Sequence, residues 1–123
     1  MATDPHSRAR RDGLLEAAIS KAIVGLLAES TGRGPTRART TIDRDLVAVI
    51  LQNTLTPGER YLADSGRHQQ VLDMRSAYQE AMGSKCTAAI EELTGRTVTA
   101  FMSANHIAPD IAAELFILEP QVG

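Results

Sequence analysis

A chain of 123 residues and 13.2 kDa has room for one hydrophobic core and excludes a second domain of ordinary size. Its apolar content of 43% includes two Phe, two Tyr and no Trp, so the core must be aliphatic, and self-association is the natural completion if a sheet is apolar on both faces. Fifteen acidic against thirteen basic side chains leave a formal charge of −2, which excludes a surface that tracks nucleic acid or anionic lipid over its whole extent.

Residues 1–12 contain Pro5, His6, Arg8, Arg10 and Arg11 with almost nothing to bury, and they read as a flexible arm ahead of a single domain over residues 13–120. Asp12 is placed to cap a helix. From Gly13 to Thr31, Leu15, Ala18, Ile19, Ala22, Ile23, Leu26 and Leu27 recur at spacings of three and four, which predicts an amphipathic helix. Gly32 suits its left-handed C′ position, and Pro35 blocks its resumption. Thr36 to Ile42 alternates as a strand with edge character, Arg37, Arg39 and Thr41 on one face and Ala38, Thr40 and Ile42 on the other. After the polar turn Asp43-Arg44-Asp45, Leu46 to Asn53 is apolar on both faces, the pattern of a strand covered on two sides.

Thr56-Pro57-Gly58-Glu59 combines a Thr N-cap, Pro at the first helical position and Glu two residues later, a capping box. Asp64-Ser65-Gly66 interrupts the helix it starts. A longer helix then runs to about Thr94, with Val71, Met74, Tyr78, Met82, Ala89, Ile90 and Leu93 on its apolar side, Gly83 as a point of bending and Gly95 as its terminator. Two more strands follow, Val98 to Ala104 and Ile111 to Leu118. The order α-β-β-α-α-β-β predicts an α+β sandwich: an antiparallel four-stranded sheet with helices packed on one face. No sequence repeat is evident, although the two hairpins allow a rough pseudo-symmetry.

The run GRGP at 32–35, Ile42 with Asp45 and the apolar strand, LTPGE at 55–59, and the Thr-Gly-Arg-Thr-Val segment after the long helix resemble the MpsC-like family across residues 13–118. Members are small bacterial proteins named for a sodium-translocating, membrane-potential-generating system. The resemblance implies an accessory cytoplasmic protein associated with a membrane system linked to ion transport or inorganic-carbon uptake. It brings no catalytic residue to any position here.

Read for chemistry, the loop Thr31-Gly32-Arg33-Gly34-Pro35 exposes backbone N–H groups that could hold an anion, with Arg33, Gly34, Arg37 and Arg39 as the candidate ligand-binding set. The competing reading is architectural. The loop follows a helix C-terminus, whose dipole favours cations, so Arg33 complements that end, and charged side chains on an edge strand keep it from pairing with other chains. The segment is neither a Walker loop nor a dinucleotide fingerprint. His6, His68 and His106 lack metal-ligand spacing, Cys86 is the sole cysteine and suits a packing role, and no nucleophile stands in a catalytic motif. No cofactor, metal or catalytic residue is therefore expected.

The single cysteine and the absence of a signal-like N-terminal run point to the cytoplasm, at the periphery of a membrane complex. The leading expectation is a non-enzymatic interaction protein that forms a homodimer through apolar strand faces or the long helix, with a membrane transport complex as its partner and no insertion into the bilayer. An anion-sensing domain is the alternative. Nucleic-acid binding through Arg8, Arg10, Arg11 and the basic strand ranks last, because so few aromatic side chains leave few surfaces for base stacking.

Overall fold

The computed structural model describes residues 5–35 and 37–121. Its elements are α1 (Pro5–Thr31), β1 (Arg37–Asp43), β2 (Leu46–Gln52), α2 (Pro57–Asp64), α3 (His68–Thr94), β3 (Val98–His106) and β4 (Ile111–Leu118). The strands form one antiparallel sheet in the order β1-β2-β4-β3, which is the expected α+β architecture. The two hairpins lie side by side, and their second strands pair at the centre.

Alternation sets which side of the sheet is covered. Val47, Val49 and Leu51 of β2 and Ala112, Phe116 and Leu118 of β4 point inward, where Ile19, Ile23 and Leu27 of α1 and Met82, Cys86 and Ile90 of α3 cover them. Each buried Leu or Ile contributes about 1.5–3 kcal/mol relative to exposure. Phe101 and Phe116, with ring centroids 5.0 Å apart, add the only close aromatic contact among the described residues. Leu55, Ala63 and Val71 form a smaller cluster that seats α2 on α3.

Several boundaries differ from the sequence reading. Helix α1 begins at Pro5, so Asp12 and Gly13 lie inside it, and of the arm expected over residues 1–12 only residues 1–4 fall outside the described residues. Pro is favoured at a first helical position, and Arg8, Ala9, Arg10 and Arg11 are good helix formers, so a helix already nucleated by its packed half extends through them at little cost. Thr36, the expected start of the first strand, also lies outside the described residues. Asn53 turns out of β2 with φ 58°, and β3 continues to His106. Helix α3 runs unbroken through Gly83, where a Cβ would stand 3.5 Å from the Phe101 ring. A Cβ at that distance makes ordinary van der Waals contact, so the helix passes β3 here without bending and without crowding that would demand glycine.

The buried face of α3 is also rotated from the expected one. Val71, Arg75, Gln79, Met82, Cys86 and Ile90 are buried, whereas Met74 and Leu93 are exposed. Two polar side chains replace two apolar ones because polar partners wait for them underneath.

The chain is built as two similar units, α1-β1-β2 and α3-β3-β4, with α2 between them. Contrary to the expectation of no sequence repeat, three residues recur at equivalent places, too few to register without the fold: Thr31-Gly32-Arg33 ends α1 and Thr94-Gly95-Arg96 ends α3. Both glycines are left-handed, with φ 78° and 69°. Both threonine hydroxyls donate to the carbonyl four residues back and accept the arginine N–H. Each arginine then reaches a carbonyl just past the second strand of its own hairpin, Arg33 to Asn53 and Leu55, Arg96 to Glu119.

Both edges of the sheet are tied to a helix. Glu16 of α1 accepts from the Ile42 N–H, and Glu91 of α3 accepts from the Val98 N–H, each at 2.9 Å. These carboxylates occupy donors that a foreign strand would use.

Because Gly32 and Gly95 do the same job, Gly32→Ala and Gly95→Ala are each expected to destabilise the fold by about 1 kcal/mol. Urea denaturation should show a lower midpoint with an unchanged m-value for both variants.

Candidate functional site

The side of the sheet away from the helices is open. Residues paired across antiparallel strands share a face, so the registers define four outward rows: Arg37-Gln52-Ile111-His106, Arg39-Ile50-Ala113-Ala104, Thr41-Ala48-Leu115-Met102 and Asp43-Leu46-Ile117-Ala100. On the central strands only Gln52 interrupts an apolar field. At its margins Met102 is 51% exposed and Leu46 37%, and no described element lies over it. At ~4.8 Å between strands and ~3.4 Å per residue, the face measures roughly 19 by 23 Å. Its projected area is about 450 Å², of which the mainly apolar rows of β2, β4 and β3 make up roughly 330 Å², within the range of the largest apolar patch on a monomer.

The structure divides the candidate anion set. Arg33 is half-buried and donates through Nη1 to the Asn53 and Leu55 carbonyls, which fixes the chain between β2 and α2. Gly34 packs against α1, where a Cβ would lie 3.3 Å from Val24 Cγ1. Both residues thus make contacts that join one element to another. Arg37 and Arg39 are both exposed on the open face, and with Ala38, Ile50 and Gln52 they line a concavity of about 420 Å³. Neither forms an ion pair among the described residues.

Beneath the sheet lies a polar layer that sequence reasoning did not assemble. Arg75 and Glu59 are each 2% exposed and meet at 3.4 Å. Glu59 also closes the predicted capping box, accepting from the Thr56 N–H at 2.8 Å while the Thr56 hydroxyl accepts from the Glu59 N–H. Further along α3, the Gln79 amide donates to Glu114 Oε1 and to Asn105 Oδ1, both at 3.1 Å, and Asn105 donates back at 2.8 Å. Glu114 sits on the inner face of β4 between Ala112 and Phe116, and its Oε2 has no partner among the described residues. Burial pushes its carboxyl up from the usual 4.5 to about 7, against the opposing pull of the Gln79 hydrogen bond and the Arg75 charge. Burial, with Glu114 adding to it, raises the Cys86 thiol to about 11, so at neutral pH the sulfur stays a protonated packing group. The spacing 71-75-79-82-86 and the isolated acid within an apolar strand face were the available signals for this layer.

Asp110 is a second unforeseen organiser. Its carboxylate accepts from the Thr54 N–H and hydroxyl and from the Leu55 N–H, and it pairs with Arg60 at 3.2 Å. Arg96 likewise binds Asp45 at 2.6 Å and the Arg44 carbonyl at 2.8 Å. The motif residues Arg33, Asp45, Glu59 and Arg96 are thus all engaged in joining one element to another. Among the described residues no group of three or more His, Cys, Asp or Glu side chains is gathered to hold a metal, and no helix is long and apolar enough to cross a membrane.

A family model described as Na+-translocating membrane potential-generating system (MpsC) matches residues 11–120. The chain belongs to the MpsC family. No curated protein and no solved structure gives a significant match.

The position of Glu114 makes stability depend on pH. Its carboxyl keeps its proton to higher pH in the folded chain than in the unfolded one, so its contribution is most favourable below pH 4.5 and is lost as pH rises through about 7. The loss is on the order of 3 kcal/mol at 1.4 kcal/mol per pKa unit. Glu114→Gln, which keeps an acceptor for Gln79, is expected to remove most of this slope, gaining stability over the parent at pH 8 but not at pH 4.5. Urea midpoints across that range check it, and parallel curves for the two chains would contradict it.

Proposed function

We propose that this member of the MpsC family is a non-enzymatic accessory component of the membrane-potential-generating system for which the family is named, acting as a homodimeric interaction module. One observation carries the reading: the helices cover one face of the sheet, and the other presents a continuous apolar field from Leu46 on β2 to Met102 on β3. A second copy of the chain is the occupant that fits. Both copies offer the same area, and two such faces together bury about 900 Å² in projection, just under the roughly 1,000 Å² at which specific interfaces begin, with side-chain relief adding to it. Edge-to-edge pairing is less suited, since Glu16 and Glu91 already take edge donors. The family's name supports the link to a membrane system, and the module would meet it through surfaces that remain exposed in the dimer.

A second reading is favoured by the concavity at Arg37, Arg39 and Gln52. Two guanidinium groups that form no ion pair among the described residues, beside an amide, are suited to a small oxyanion, which would make this end of the face an anion-sensing site.

Size-exclusion chromatography with light scattering should give a dimer for the parent chain. Ile50→Asp and Leu115→Asp, which place charge at the centre of the face without touching the helical core, should give monomers with unchanged far-ultraviolet circular dichroism. A strict monomer at high concentration would overturn the homodimer reading. For the anion reading, phosphate, bicarbonate or a nucleotide should raise the melting temperature of the parent chain but not of Arg37→Ala/Arg39→Ala; no shift with any of them removes it.

A further inference from the structure

The open face carries information about how two copies are oriented. Its charged residues all lie on β1, and they are arranged with polarity: Arg37 and Arg39 at one end, Asp43 at the other. Two-fold symmetry allows two ways of laying one such sheet on another with strands roughly aligned, as packed sheets prefer. An axis running along the strands sets β1 over the partner's β3. Arg37 then meets the partner's His106, while Arg39 and Asp43 meet the partner's Ala104 and Ala100, leaving each charge against a group that cannot pair with it. An axis running across the strands sets β1 over the partner's β1 in the reverse direction. Arg37 then meets the partner's Asp43, and Arg39 meets the partner's Thr41.

Size does not choose between them. Across the strands, Ile50 falls on the partner's Ala48, Leu115 on the partner's Ala113 and Met102 on the partner's Ala104, and the other axis also sets large residues on small ones. Charge does choose. We infer that two copies of this chain pack open face to open face about a two-fold axis perpendicular to the strands, held in register by reciprocal pairs between Arg37 and the partner's Asp43.

This inference rests on the reading that the open face is a self-interface, and it deepens that reading by fixing the orientation. The pairs occur twice per dimer, at opposite ends of the two facing β1 strands. Aligned sheets are rotated by about 30° relative to each other. That displaces the ends of the strands by several ångströms, a distance the long Arg37 side chain can span. The pairs lie at the rim, so their value is in orientation more than in affinity.

Charge reversal tests it with full-length chain. Arg37→Asp sets two acids together at both ends of the interface, and Asp43→Arg sets two bases together. Each is expected to raise the dimer dissociation constant roughly tenfold by sedimentation equilibrium, whereas Arg37→Asp/Asp43→Arg should return it to within about twofold of the parent. Both positions are exposed, so circular dichroism should be unchanged. Crosslinking gives an independent readout: a mixture of Arg37→Cys and Asp43→Cys chains treated with a short bis-maleimide should yield covalent heterodimer, with buried Cys86 unreactive. Heterodimer from Arg37→Cys mixed with His106→Cys instead, or absence of rescue in a parent chain that does dimerise, overturns the orientation and leaves self-association standing. A monomeric parent overturns both.

Discussion

The constraint on which the rest of this structure depends is that its two central strands are apolar on both sides while helices are supplied for only one. A strand with alternating apolar and polar residues needs one cover; β2 and β4 carry Val47, Val49, Leu51, Phe116 and Leu118 toward the helices and Leu46, Ala48, Ile50, Ala113, Leu115 and Ile117 away from them. Water on that second face forfeits about 25 cal/mol for each Å² of apolar surface that could have been covered. A chain with this little aromatic area to bury elsewhere leaves a large share of its hydrophobic stabilisation there. The flanking strands reflect the same economy. On the outward side β1 turns polar through Arg37, Arg39, Thr41 and Asp43, which bounds the apolar field at that edge, whereas on β3 it runs to the edge through Ala100, Met102 and Ala104 and only His106 is polar.

The covered side is less uniform than an aliphatic core would require. Arg75, Gln79 and Glu114 occupy buried positions where Leu or Met would pack without electrostatic cost. A buried ion pair such as Arg75 with Glu59 is weak evidence of stabilisation, because desolvation offsets most of the attraction, but removing either partner would leave the other charge unpaired. What the pair does is local. It joins α3 to the N-terminus of α2 through a glutamate already committed to a capping box, and the Arg75 Nη1 reaches the Thr54 carbonyl at 3.5 Å. Gln79 does the equivalent for the sheet, linking α3 to β3 through Asn105 and to β4 through Glu114. The rotation of the buried face of α3 away from Met74 and Leu93 follows from these contacts.

Most of the fold was legible in the residues because local and tertiary preferences agree. The capping box at Thr56-Pro57-Gly58-Glu59 starts α2 as read, Gly32 and Gly95 end their helices in the left-handed conformation, and β4 matches its expected bounds. The start of α1 was not legible, since the run Arg8 to Arg11 has no apolar periodicity that a hydrophobic pattern could register, while helix propagation from a packed segment needs no such pattern. The face of α3 was misjudged for a related reason. Hydropathy ranks Met74 above Arg75, and only the presence of Glu59 sixteen residues earlier reverses the order. Of the candidate site residues, Arg37 and Arg39 share one strand face, as alternation places them, whereas Arg33 and Gly34 stand in the preceding loop. A guanidinium two positions past a helix end has carbonyls within reach that an alternating strand does not offer, and Arg33 takes two of them.

The residues by which the sequence resembles the family and the surface proposed to act are different sets, and the geometry describes the separation. Arg33, Asp45, Glu59 and Arg96 sit where one element is handed to the next, and their hydrogen bonds to backbone carbonyls, to a cap or to one another demand particular side chains. The open face asks only for apolar residues of alternating bulk on β2 and β4, a requirement that Val, Ile, Leu, Met and Ala meet in many combinations. Motifs therefore report the joints of the two α-β-β units, including the repeated Thr-Gly-Arg, and say little about the face those joints hold flat. Orientation of a partner on such a face must come from its few charged positions, and here they lie along one strand, with opposite signs at its two ends.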